Sequence, residues 1–480
     1  MASTDVLELR VEGVGVVETI PARDAPRMYA SDTLCNPDPV SLPARTAVRA
    51  EVAILDASGV ELGTSGWSRA RGAPRFALDA RWHDHRRTAT PTADQQAAVQ
   101  RWTSIPIVAA SGASDPGPAG CPHGLEITRV RETAPSGGPW IYEALSSLTS
   151  DGRRAWNVLG EPTGGARVHR LDAGAAARPG VTLAGSPASG ASGADGPYFV
   201  TRVYASGGGS PQTTLHALAN DGSARWQAAI QSDGDYFQLA AGAGRVLASW
   251  NQGGAALNAR VAWAVFDAAT GAPVGSTHAS AHSVHTNGGL ASAFVNDRFF
   301  LAWPAGRSRP TVSLAILSRD GAELAARDLG VAGHGPMDLA AAGSRVALVT
   351  ESDRQIAWHL LDESGALLRG PVVVSAGVGQ DNRKPRVAWN GSVFAVAWET
   401  HPSARTYVTV VDESGRVAPA LALEPGVHTS TVGVAAIGRE LLLAYTRDPY
   451  ESARVVTAAL RCRASAPAGA PQRITVAPAP

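Results

Sequence analysis

SVFAVAWETHPSARTYVTVVDESGRV, residues Ser392–Val417, is the stretch that decides the fold. It reads as an apolar strand ending at the aromatic Trp398, a second apolar strand, and a turn from Asp412 to Gly415. Asp bonds to nearby backbone N–H groups, and Gly takes the positive φ that a tight hairpin needs. One such hairpin is common in any β protein. What makes this one informative is that it recurs.

Strands of the same kind begin at Pro139 (PWIYEALSSL), Pro197 (PYFVTRVYAS), Arg245 (RVLASW), Arg298 (RFFLAW), Arg345 (RVALVT) and Arg439 (RELLLAY). Each opens on a turn residue: Gly138, Gly196, Gly244, Asp297, Gly343, Gly391 and Gly438, at separations of 58, 48, 53, 46, 48 and 47 residues. The Asp–Gly type turn recurs with glycines at Gly152, Gly222, Gly271, Gly321, Gly365 and Gly415. No repeat carries an apolar stripe of helical period, and strands that are apolar on both faces are packed on both faces. A four-stranded repeat of roughly this length is the signature of propeller blades around a channel.

The expected architecture is therefore all-β: a seven-bladed β-propeller over residues 121–475, a β-rich accessory region or cap over 1–120, and a tail from 476 to 480. The turn LDASG (Leu55–Gly59) makes an eighth, degenerate blade the alternative for the N-terminal region. That region is also expected to hold a short helix at Ala93–Trp102 and a linker at Ser111–Gly120. The long first interval is attributed to a flexible Ala/Gly/Ser insertion, Ala173–Gly196. The last repeat, from Val455, lacks the second turn, so closing the ring calls for a strand from outside it. LEITRVRE (Leu125–Glu132) is the candidate.

The segments LHALANDGSARW (Leu215–Trp226) and EALSSLTSDGRRAW (Glu143–Trp156) resemble the PQQ-type propeller repeat. RVAWNGSVFAVAWET (Arg386–Thr400) and YVTVVDESGRV (Tyr407–Val417) are similar to repeats in bacterial propeller proteins. The resemblance implies the fold only, because propellers host many unrelated functions. Quinone-binding members of the PQQ class use adjacent cysteines, and this chain has none.

Composition narrows the function classes. Lys and Arg number 42 against 42 Asp and Glu, for a formal net charge of zero. Nucleic-acid binding, which leaves a basic excess, is not expected. The basic residues are Arg with the single exception of Lys384, which reads as the codon bias of a GC-rich genome. No apolar run reaches the eighteen residues of a membrane span. Met1–Gly13 has no signal-peptide pattern, so a secreted or periplasmic location is favoured only if a leader has been removed; otherwise the chain is cytoplasmic. A monomer is expected. Cys35, Cys121 and Cys462 show no metal or redox spacing. Cys35 and Cys121 are the expected pair in an oxidising compartment, leaving one thiol over.

Two sets of residues stand out as candidate sites. Tyr204, Trp250, Trp303, Trp398 and Tyr445 end successive strands, with Trp263 and Trp358 on the strands that follow. They read as blade-to-blade packing first and as a sugar-stacking ring second. The second set lies at similar offsets before the opening turns: Asp235, His285, His334, Asp381, Asn382 and His428. In a propeller these loops surround one mouth of the channel, where such residues would form a ligand site. His285, His334 and His428, taken as neutral imidazoles, are the candidate ligands for a divalent metal. His83 and His85, and the cluster His278, His282 and His285, are weaker pairs and triads of the same kind. The expected function is a recognition module that binds a glycan, peptide or protein at the channel mouth. The alternative is a hydrolase or lyase with a His-rich, metal-dependent site at the same mouth.

Overall fold

The computed structural model describes residues 6–11, 15–21, 41–42, 49–55, 61–64, 68–69, 83–84, 108–109, 118–135, 146–161, 164–204, 211–232, 234–252, 259–284, 289–306, 310–333, 335–376, 378, 381–401, 404–424, 427–447 and 454–463. The chain divides into two compact units.

The smaller unit comprises residues 1–115 with 375–382 and 400–403. Its main sheet runs Gly15–Pro21, Val6–Val11, Arg49–Leu55, Glu61–Thr64 and His83–Asp84, with Ser68–Arg69 pairing Arg49–Leu55. A separate parallel pair joins Ser41–Leu42 to Val108–Ala109. This is a sheet of its own and not a four-stranded blade. Ala93–Trp102 and His85 lie outside the described residues.

The larger unit is a seven-bladed β-propeller of four-stranded antiparallel sheets. Blade 1 is Ser146–Ser150, Ala155–Gly160, Gly165–Leu171 and Ala177–Ala184. Blades 2 to 6 repeat the pattern, opening with Ser186–Gly193, Asp235–Gly242, Ala291–Val295, Asp338–Ala342 and Asn382–Trp389. Blade 7 is Thr429–Ile437, Glu440–Arg447 and Arg454–Cys462, and its fourth strand is Leu125–Pro135 from before blade 1. The ring thus closes with the strand expected, and the last repeat needs no second turn of its own.

Three expectations are corrected. The apolar strands that reveal the repeat are the second strands of their blades, because each follows a hairpin from the blade's first strand. Several first strands are runs of small residues, such as SPASGASG (Ser186–Gly193) and DLAAA (Asp338–Ala342), so their strand signal is weak. For the same reason the segment Ala173–Gly196 is not a flexible insertion: it holds the strands Ala177–Ala184 and Ser186–Gly193. Blade 1 also begins one hairpin later than the repeat spacing predicts. Its opening turn is Asp151–Arg154, and Gly152 stands 44 residues before Gly196, which removes the long first interval. Its second turn is Asp172–Ala176, where Ala175 at φ 62° takes the place glycine holds in the other blades.

The repeated aromatics pack as expected. Trp250, Trp263, Trp303, Trp358, Trp398 and Tyr445 are all buried. Counting from the residue that opens each second strand, the sixth position holds Trp250, Trp303 and Tyr445, matched by Trp398 at the fifth of the shorter blade-6 strand, but Thr201 in blade 2 and Thr350 in blade 5. The third strands compensate. Opposite the residue two before the aromatic stand Ala264, Ala315 and Ala458. At the same register in the two Thr blades stand His216 and His359. His216 Nε2 lies 2.8 Å from Thr201 Oγ1, and His359 Nε2 lies 3.3 Å from Thr350 Oγ1. A Thr–His pair thus fills the slot of one large ring. Tyr204, first aligned with the aromatic series, lies three residues past Thr201 and is exposed.

Close approach between blades has its own requirement. A Cβ built on Gly242 would sit 2.0 Å from Phe294 Cδ1 in the next blade. Phe294 is held by an edge-to-face contact with Phe299, centroids 4.9 Å apart. Overpacking of this kind costs about 1–3 kcal/mol. Gly242→Ala is expected to lower the urea midpoint accordingly; an unchanged midpoint would contradict the packing.

The seam carries a covalent bond. Cys121 and Cys462 form a disulfide across 341 residues of sequence, joining the segment before Leu125–Pro135 to the end of Arg454–Cys462. This corrects the expected Cys35–Cys121 pair; Cys35 lies outside the described residues. Around it, Arg461 pairs with Glu126 at 2.6 Å and Arg463 Nε donates to Leu125 O at 2.9 Å. Ala119 N–H donates to Asp412 Oδ2 at 2.8 Å.

Candidate ligand-binding site

A cavity of about 510 Å³ opens where the first strands of the blades begin, and all seven blades line it. It is one mouth of the central channel. Two walls carry most of its chemistry.

One wall comes from blades 2 and 3. Tyr204 is 63% exposed and Tyr236 is 54% exposed, although most large side chains of the propeller are buried. Tyr236 takes φ 55°, an uncommon conformation for a residue with a side chain. Arg202 lies between rings, its guanidinium carbon 5.0 Å from the Tyr204 centroid and 5.6 Å from that of Phe237. Such cation–π contacts help to hold a guanidinium in place. Gln238, Ser186 and Ser189 add amide and hydroxyl groups.

The other wall comes from blades 5 and 6. Lys384 Nζ is 2.8 Å from Glu399 Oε1, and Ser430 Oγ donates to Glu399 Oε2 at 2.5 Å. The backbone N–H of Lys384 donates to Glu351 Oε2 at 3.2 Å. Asp338 accepts from Leu339 N at 2.9 Å and from Val387 N of the next blade at 2.9 Å. Burial pushes its carboxyl above the usual range, opposed by the Arg386 charge and those two N–H groups.

Several of these residues share a register. Arg202, Asn251, Glu351, Glu399 and Thr446 each follow the slot of the repeated aromatic in their second strands. The signal was therefore present in the sequence: one polar residue directly after the aromatic slot in five blades. A second polar cluster sits nearby in the chain, where the Tyr445 hydroxyl and the Arg447 guanidinium both donate to Glu424. Burial first, and then the Glu424 charge, raise the Tyr445 hydroxyl.

The residues singled out from the loops before the opening turns are placed as follows. Asp235 begins the first strand of blade 3, beside Tyr236, Phe237 and Gln238 of the lining. His285 and His334 lie outside the described residues; the chain is next described at Gly289 and Gly335, and Gly289, Leu290, Pro336, Met337 and Asp338 line the mouth. Asp381 and Asn382 are buried and belong to the smaller unit, where the Asp381 carbonyl accepts from His401 N at 2.8 Å. His428 is exposed. Among the described residues no group of three His, Cys, Asp or Glu is placed to hold a metal ion. His278 lies on an outer strand, Pro273–Ser283, and stacks on Trp263 with centroids 5.7 Å apart. The side chains of His83 and His282 are not described.

No family model matches the chain. No curated protein matches it in sequence either. Solved structures match it in fold. The β-propeller domain of Cps50 (Swd1) from Myceliophteria thermophila is 12% identical, with a TM-score of 0.46, over 69% of this chain and 99% of that one. A subtype N10 neuraminidase-like protein of A/little yellow-shouldered bat/Guatemala is 9% identical, with a TM-score of 0.41, over 71% and 99%. Both likenesses are of fold alone. Among the described residues no helix is long and apolar enough to cross a membrane.

Proposed function

We propose that the propeller is a recognition module that binds a glycan or peptide segment at the channel mouth. The observation that carries this reading is the pair Tyr204 and Tyr236, two exposed rings on one wall of a cavity that all seven blades line. Propeller cores bury their aromatics, so rings left exposed at a concave polar site serve a ligand better than they serve packing. The Cys121–Cys462 bond supports an oxidising compartment, secreted or periplasmic.

The test is binding to an array of glycans and peptides, followed by Tyr204→Ala and Tyr236→Ala. Each loses stacking worth about 1.4 kcal/mol, roughly tenfold in affinity, with unfolding midpoints unchanged. Full affinity in both variants would overturn the assignment of the mouth.

A further inference from the structure

We infer that the ligand is an acidic oligosaccharide, its ring stacked on Tyr204 and Tyr236 and its carboxylate held by cations lining the same mouth. This rests on the recognition role proposed above and deepens it.

The argument starts from Lys384. Every other basic residue in the chain is Arg, yet this position is Lys. Mutational bias explains the arginines and leaves the exception unexplained. The structure puts that one lysine in the lining of the channel mouth. Its backbone takes φ 53° directly before Pro385, a conformation disfavoured both for a residue with a side chain and for one preceding proline. Strain of this kind persists where the surroundings fix it, and it concentrates at ligand sites. Here the surroundings are Glu399 on the ammonium, Ser430 behind Glu399, and Glu351 on the backbone N–H. A compact ammonium meets one carboxylate oxygen as a point charge, which a planar guanidinium does not reproduce.

Arg386 lies two residues on and also lines the mouth. Arg202 lines it from blade 2, on the far side of the ring from blade 6. Asp338 is the one carboxylate among the described lining residues, and backbone N–H groups occupy both its oxygens. Glu399 matches the charge of Lys384, so the described lining carries Arg202 and Arg386 against Asp338 and keeps a cationic excess through its guanidiniums. A concave site with one sign of charge concentrates ligands of the other sign. An arginine fork suits a carboxylate, the exposed rings suit the C–H face of a sugar, and Ser147, Ser186, Ser189 and Gln238 suit its hydroxyls.

A single lysine provides its own reporter. Reductive methylation with ¹³C-formaldehyde keeps the charge and marks only Lys384 and the terminal amine. The labelled protein is titrated with oligogalacturonates and sialylated oligosaccharides, with neutral galactose oligomers, and with Glu-rich peptides. The expected result is a shift of the Lys384 methyl resonance with acidic saccharides, weakened by added salt and absent with neutral ones. Arg202→Ala and Arg386→Ala should each weaken binding tenfold or more, and Arg202→Lys should recover part of the loss. If neutral saccharides or peptides shift the resonance while acidic saccharides do not, the acidic-glycan inference falls and the recognition role stands. If no saccharide or peptide shifts it, and Tyr204→Ala changes no binding, both fall.

Discussion

Replacing Cys462 by Ser lowers the unfolding free energy of the propeller by about 3–5 kcal/mol, the upper part of the range for native disulfides. The reason is the length of chain the bond closes: Cys121 and Cys462 are separated by 341 residues. Tying two such distant points removes a large set of open conformations from the unfolded chain. The folded state contributes as well, because the bond sits where Leu125–Pro135 completes blade 7. A propeller whose last sheet loses its outer strand exposes an edge and opens between its first and last blades. A loss of this size corresponds to a fall in Tm of about 4–7 °C for a domain of this length. Thermal scans of Cys462→Ser, Cys121→Ser and the double variant should coincide with one another and with the native protein under reductant. Midpoints unchanged from the oxidised native protein would show that strand pairing alone holds the seam.

Acid weakens the fold between about pH 6.5 and pH 4. His169, His216 and His359 are buried, and burial lowers each to about 4; for His169 the Arg167 charge adds to it. In the unfolded chain these groups take up protons near 6.5, while the folded state refuses them until about 4. Stability is therefore fully present above 6.5 and is lost as pH falls through that window. Each pKa unit is worth 1.36 kcal/mol, so each histidine contributes about 3 kcal/mol by pH 4. The slope with three histidines is about 4 kcal/mol per pH unit. His359→Gln keeps a partner for Thr350 but removes one titration, and should reduce that slope by about one third. Urea unfolding at half-unit steps from pH 7.5 to 4 checks it. A slope that does not change in His359→Gln would place the acid sensitivity elsewhere.

How much of this was legible in the sequence follows from how strongly each element is written. The second and third strands are runs of apolar and β-branched residues ended by Asp–Gly turns, so the period and the blade number could be read directly. The closing strand was legible too, because LEITRVRE has strand character and the last repeat lacks one strand. The first strands were not. Several of them are runs of Ala, Gly and Ser, and small residues carry little strand signal. That weakness put blade 1 out of phase and turned a blade junction into an apparent insertion. It also placed Tyr204 in the packing series, since Thr201 holds the aromatic slot and borrows His216 from the neighbouring strand. Arg202, Glu351 and Glu399 were visible as the residues after the slot, but a polar residue at a strand end looks like any loop margin until the register is known. Lys384 stands out in the sequence only as the exception to a compositional bias. Its meaning came from its place in the channel wall. The Cys121–Cys462 bond had no local signature, because its spacing is that of the whole ring.

The most direct test is a crystal structure of the protein soaked with the tightest-binding acidic oligosaccharide. Density for a sugar ring against Tyr204 and Tyr236, with its carboxylate on Arg202, Lys384 or Arg386, is the predicted result. Density on the turn face of the blades or in the smaller unit, with the channel mouth empty, would contradict the account.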